Sequence, residues 1–248
     1  MARRLAAMDV AGYNDGVLTS TGNWGGKTVL VESALEKPMH WNKPRAIFIN
    51  SMGDLFHENT PYEWIDQVFA IAALCPQHLF LVLSKRAERM AKYFNDKNTA
   101  GRILTSKMGA GFDSNTYFNL SVDIPLGNVW LGVSAENQEQ YDNRIRNLLS
   151  CPAAIRFVSG EPLLGAIHAD YIGMLDWVIC GGESGPGARP MNPDWARSLR
   201  DQCMDSAVPF FFKQHGSALW GTPYHQEPNK GGDVLDGRRW HEFPGGES

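Results

Sequence analysis

The sequence has no apolar run near the roughly 18 residues that a helix needs to cross a membrane. It has no C-x-x-C pair, and no G-x-G-x-x-G follows its first hydrophobic run. It also lacks a basic excess: 23 Lys and Arg stand against 27 Asp and Glu, a formal net charge of −4 over 248 residues. These absences exclude in turn a helical membrane span, the spacings of a zinc site or a disulfide framework, the dinucleotide fingerprint, and a global field drawing nucleic acid to the whole surface. The cysteines are four and far apart, at 75, 151, 180 and 203. They are read as reduced thiols in or near the core. The opening "MARRLAAMDVAG" carries two arginines, but Asp9 interrupts its apolar part. That is short of the roughly 7–15 apolar residues of a signal peptide, so it reads as part of a helix and the protein as cytoplasmic. What is present, 43% hydrophobic and 20% charged residues, is ordinary globular composition, enough for one large core or two small ones.

Six short runs rich in β-branched and aromatic residues punctuate the chain: "AIFIN" (46–50), "LFLVL" (79–83), "NVWLGV" (128–133), "IRFVS" (155–159), "LDWVIC" (175–180) and "VPFFF" (208–212). They are continuous rather than alternating, which predicts strands covered on both faces. Helical segments lie between several of them. "YEWIDQVFAIAAL" follows Thr60-Pro61, with Thr60 and Glu63 as a capping box. "AERMAKYF" follows the second run. "NQEQYDNRIRNLLS" follows the third, and "NPDWARSLRDQCMDS" the fifth, opened by Asn192 as cap and Pro193 as first residue. Strand, helix, parallel strand is the repeated unit, so a partial (β/α) TIM-like barrel is the expected fold. An open doubly wound sheet is the rival. Residues 1–216 are assigned to the barrel, with an inserted excursion or lid at about 98–127. Residues 217–248 are assigned to a loop-rich tail packed on it, with "LDGRRW" as a hairpin turning at Asp236-Gly237.

Each run ends in polar side chains. The first gives Asn50, Ser51, Asp54, His57 and Glu58; the second Ser84, Lys85 and Arg86; the third Ser134, Glu136 and Asn137. The fourth gives Glu161 before Pro162, the fifth Gly181, Gly182, Glu183 and Ser184, the sixth Lys213, Gln214 and His215. In a parallel α/β barrel these ends share one face, where active sites form. Gly181-Gly182 admits unusual backbone angles or the close approach of a ligand. Glu183 and Ser184 then face the mouth, and the amides of "GPGARP" are suited to hold an anion or carboxylate. Lys213, behind three phenylalanines, is expected near-buried and paired with Glu161 or Glu183, either as a structural ion pair or as a catalytic lysine. Lys85-Arg86 sits where a helix start disfavours cations, which points to binding of phosphate or carboxylate. His57 near Asp54 is weak as a metal pair, and no metal site is assigned. Trp24, Trp41 and Trp220 are read as packing residues.

Together "RAIFINSMGDLFHE", "LVLSKRAERM", "NVWLGVSAEN", "RFVSGEPLLG", "DWVICGGESGPGARPM" and "VPFFFKQHG" resemble a phage-encoded family of unassigned function that is itself similar to radical S-adenosylmethionine enzymes. The resemblance spans essentially the whole chain. It implies a radical-SAM-like partial barrel whose first strand is missing here, S-adenosylmethionine as cofactor, and a [4Fe–4S] cluster on a three-cysteine loop. That loop is absent from this sequence, so the cluster has no ligands here and the chain as written is expected to be inactive in radical chemistry. By position, the resemblance implies that Asn50, Ser51 and Asp54 hold the cofactor's amino group, and that Ser134 and Glu136 hold its ribose. Glu161, Glu183 and Lys213 are the catalytic candidates. Lys85, Arg86, Gly181, Gly182, Ser184 and Gln214 are the substrate-binding ones.

Three functions follow as expectations. The first is a radical-type barrel protein, or its remnant, acting on a nucleic acid or nucleotide-like substrate, with Lys85, Arg86, Arg144 and Arg146 as direct support. The second is a non-radical enzyme using Glu161, Glu183 and Lys213 for acid–base chemistry. The third is a binding protein that has lost catalysis. No membrane partner is expected. A missing first strand exposes a sheet edge, which makes a homodimer an expectation too.

Overall fold

The computed structural model describes residues 25–51, 53–106, 122–218, 220–221 and 231–246. The start of the chain, expected to be helical, Trp24 and most of the expected excursion lie outside them. The six predicted strands all form: β1 (Ala46–Ile49), β2 (Leu79–Ser84), β3 (Val129–Ser134), β4 (Ile155–Gly160), β5 (Trp177–Gly181) and β6 (Phe210–Gln214). Helix α1 (Glu32–Leu35) precedes β1, and between the strands run α2 (Tyr62–Leu74), α3 (Ala87–Asn95), α4 (Thr99–Thr105), α5 (Gln138–Ser150) and α6 (Pro193–Asp205). The strand order follows the chain, β1-β2-β3-β4-β5-β6, and the registers are parallel. A doubly wound sheet reverses its order at a switch point; no reversal occurs among the described strands. The fold is mixed α/β, with the sequential parallel strands from which a partial (β/α) barrel is built.

The chain divides into two compact units, Met1–Val82 with Tyr93–Val129, and Leu83–Lys92 with Trp130–Ser248. The division cuts through β2 and α3. In the first unit β1 pairs with β2 from Ala46↔Leu79 to Ile49↔Val82. Helix α2 buries Ile65, Phe69 and Ile71. Phe69 packs on Phe94 at 5.0 Å and Tyr93 on Phe56 at 5.7 Å between ring centres. Asp66 is buried in this cluster and accepts the Tyr93 hydroxyl at 2.7 Å. Burial pushes its carboxyl above the ordinary range, against the pull of Tyr93 and Arg102. Two expectations fail in this unit. The N-cap of α2 falls on Pro61, one residue later than the expected Thr60. Proline already sets the entry angle of the helix. Strand β1 is not covered on both faces, since Ala46 and Phe48 are exposed; among the described strands it pairs with β2 alone.

The second unit holds β3 to β6. Helix α5 opens on Asn137, whose side chain accepts from the Gln140 amide, and buries Tyr141, Ile145 and Leu148. Helix α6 opens as predicted on Asn192, which accepts from the Asp194 amide at 3.0 Å, with Pro193 in the first turn. The tail forms the predicted hairpin, β7 (Val234–Leu235) against β8 (Arg238–Arg239). Asp236 and Gly237 both have positive φ at its tip, the geometry of a type I′ turn. The tail then bonds to β6, where Phe212 donates to the Trp240 carbonyl at 2.7 Å and Glu242 to that of Phe210 at 3.2 Å. All four cysteines are free and buried.

Candidate functional site

The polar residues at the strand ends of the second unit are tied into three ion-paired groups. At the ends of β2 and β3, Glu136 accepts from two cations. Its Oε1 pairs with the Lys85 ammonium, and its Oε2 with Arg144 Nη1 at 2.9 Å. Arg144 also donates to the Ser134 carbonyl at 2.8 Å and to Gln140 Oε1 at 2.6 Å. Burial works to raise the Glu136 carboxyl. The hydrogen bond from Lys85, a backbone amide and both cationic charges outweigh it and hold the group below the ordinary carboxylate range. Arg86 donates its amide to Ser84 Oγ at 2.9 Å, which turns the chain into α3.

At the ends of β4 and β6, Lys213 Nζ lies 2.9 Å from Glu161 Oε2. Gln214 Nε2 lies 3.3 Å from Glu161 Oε1 and donates to the Gly182 carbonyl at 2.9 Å. Of the two carboxylates expected for Lys213, Glu161 is the one it meets. The burial expectation is corrected: Lys213 and Gln214 belong to β6 itself, and the Lys213 side chain is half exposed while its phenylalanine neighbours Phe210 and Phe212 are buried. Alternation along the strand turns the lysine outward where a continuous-run reading put it inside.

After β5, Glu183 makes a three-point contact with Arg189. Its Oε2 takes Nε at 2.8 Å and the backbone amide at 2.9 Å, and its Oε1 takes Nη2 at 2.9 Å. The Arg189 hydrogen bonds hold the Glu183 carboxyl below the ordinary range, against a smaller opposing effect of burial. The expected carboxylate at the "GPGARP" amides is thus the chain's own Glu183. Arg189 also feels the charge of Glu136, which links this group to the first. Ser184 lies in the same loop.

Neither Gly181 nor Gly182 adopts a left-handed backbone. What they admit is the exit of β6. A Cβ on Gly181 would stand 3.3 Å from Lys213 Cβ, and one on Gly182 would run into the His215 carbonyl. A Cβ on Gly216, at φ +106°, would stand 2.8 Å from the Glu183 carbonyl. Removing side chains here lets Lys213 pass over β5 to reach Glu161, the residue after β4.

Asn50, Ser51 and Asp54 belong to the first unit. Asn50 takes a positive φ of 51° directly after β1 and accepts from the Gly53 amide at 2.8 Å. Asp54 Oδ1 accepts from the Phe56 amide at 3.0 Å, and His57 Nδ1 from the Asn59 amide at 3.2 Å. Both side chains serve local turns. Among the described residues no three His, Cys, Asp or Glu are grouped to hold a metal.

Sequence reasoning missed Arg189 as the clasp of Glu183, although it stands six residues on across a glycine-rich turn. It placed Arg144 toward nucleic acid. The structure turns Arg144 inward onto Glu136 and Gln140, the latter four residues earlier on one helix face.

The chain matches, over residues 1–244, the family described as a protein of unknown function (DUF5131), and it belongs to that family. No curated protein and no solved structure matches it. A [4Fe–4S] cluster, implied by the resemblance to radical enzymes, does not fit the residues present. Its thiolate ligands must converge on one cluster, whereas the four cysteines are each buried and free and no three of them are grouped among the described residues.

Proposed function

We propose that the protein is a (β/α)-barrel domain, related to the radical S-adenosylmethionine enzymes, whose strand-end face takes a nucleic-acid or nucleotide-like anionic ligand. One observation carries this reading. In each strand-end pair of the second unit the cation is the more exposed partner: Lys85 52% against Glu136 11%, Lys213 48% against Glu161 22%, Arg189 60% against Glu183 29%. The carboxylates anchor, and ammonium and guanidinium groups face outward. A net-negative chain thus presents cations where ligands bind in parallel α/β folds. The reading extends to no cluster-dependent step. Acid–base catalysis is less favoured, because a general acid needs a raised carboxyl and Glu183 is held low.

The test is equilibrium binding of nucleoside monophosphates and a short single-stranded oligonucleotide by calorimetry. Saturable binding is expected, weakened about tenfold or more in Lys85→Glu or Arg189→Glu. Absence of binding, or affinities untouched by both reversals, overturns the reading.

A further inference from the structure

The hydroxyls of two serines near the ends of neighbouring strands have no role in the ion-paired groups. Ser134 closes β3, and its register partner is Ser159 on β4. Register partners in a parallel sheet share a face, about 4.8 Å apart between strands. Earlier pairs on that face are Trp130↔Ile155 and Gly132↔Phe157, and Phe157 in turn pairs with Trp177. The Phe157 ring lies across Gly132, which has no Cβ to keep it away. The opposite face carries Val158, Cys180 and Phe212, with Cys180 beside Cys203 of α6. The serine face is therefore aromatic and apolar at its base, and becomes hydroxyl-bearing only at the ligand-binding ends of the strands.

Ser134 and Ser159 are 5% and 4% exposed. Neither hydroxyl has a hydrogen-bond partner among the described residues. Neither oxygen is among the buried polar atoms that lack a partner, so both keep contact with solvent, and the pair is open to a ligand without cost to the fold. At the next level toward the strand ends, Gly181 offers no side chain, and Lys213 passes over it to Glu161. The polar groups on offer are two O–H donors and an ammonium with protons left beyond its single carboxylate bond.

We propose that Ser134 and Ser159 form a two-hydroxyl seat for a phosphate group, with Lys213 as its countercharge. The several oxygens of a phosphate accept from both hydroxyls and from the ammonium, and its charge makes the last bond the strong, charge-assisted kind that a neutral group does not make. The proposal rests on the reading above for the kind of ligand, and is tested apart from it. The probe is inorganic phosphate, followed by calorimetry in a phosphate-free buffer. Wild type is expected to bind saturably. The double variant Ser134→Ala/Ser159→Ala is expected to bind about tenfold more weakly or worse, and Lys213→Gln likewise.

The double variant is also expected to melt at the same temperature as wild type or higher, because the hydroxyls it loses contribute nothing to the fold. Phosphate binding that is absent, or unchanged in the double variant, overturns the proposal. So does a clearly lowered melting temperature, which assigns the hydroxyls to the fold. A nucleoside that binds as tightly as its monophosphate also overturns it, since the serines then hold the sugar or base. Serine-dependent phosphate binding without nucleotide binding upholds the seat and overturns only the broader reading.

Discussion

Glu136 shows how much one side chain holds at this site. It is buried, it accepts from Lys85 and Arg144, and through Arg144 it is tied to the Ser134 carbonyl and to α5. Glu136→Gln keeps the shape and removes the charge, leaving two cations short of their acceptor. The loss is expected to be about 2 kcal/mol at neutral pH, the order of a charged hydrogen bond. Because the folded carboxyl lies below its ordinary value, its stabilisation is full above the unfolded value of about 4.3. It fades as pH falls through the lower folded value. Urea denaturation should therefore show wild type and Glu136→Gln well separated at pH 7 and converging in acid. A gap that stays constant with pH would mean the charge is not what Glu136 contributes. At this scale the sequence was half legible. A lysine among phenylalanines announced its need for a carboxylate, and Glu161 was one of two named. Which way Lys213 turned depended on strand alternation, and the clasp of Glu183 by Arg189 depended on a loop path that no local pattern encodes.

At the scale of elements, legibility was high wherever a single local cause sufficed. Apolar runs of five or six residues marked all six strands, Asn192-Pro193 marked the start of α6, and Asp236-Gly237 marked the hairpin tip. Thr60 misled because Pro61 next to it took the cap position. The exits of β5 and β6 were legible as special, through Gly181-Gly182, but not as to why. The glycines bring two strand ends into backbone contact rather than adopting unusual angles. Gly182→Ala therefore forces a methyl group into the His215 carbonyl at a place where neither backbone can withdraw without losing the Gly182–Gln214 bond of 2.9 Å. Overpacking of this kind costs about 2 kcal/mol or more. The expected outcome is a lowered melting temperature together with faster hydrogen exchange at the amides of residues 213–217. A neutral Gly182→Ala would mean that the two strand ends are not held as close as the structure has them.

Over the whole molecule, charge and its placement say different things. A chain of net −4 gives no reason to expect attraction to polyanions, and composition could not show which member of each ion pair faces water. That depends on the fold: carboxylates seated at strand ends, cations laid over them. If the outward cations Lys85, Lys213 and Arg189 are the ligand face, binding of a single-stranded oligonucleotide should release counterions in proportion to the phosphates they neutralise. Three such contacts predict a slope of about −2 in log K against log salt, at about 0.7 per phosphate. Arg189→Gln should reduce the slope by about one contact's worth while leaving the fold intact, because Arg189 is exposed and its partner Glu183 can rehydrate. Affinity measured between low and physiological salt decides the matter. A slope near zero would place the ligand's contacts on neutral groups and take the outward cations out of binding altogether.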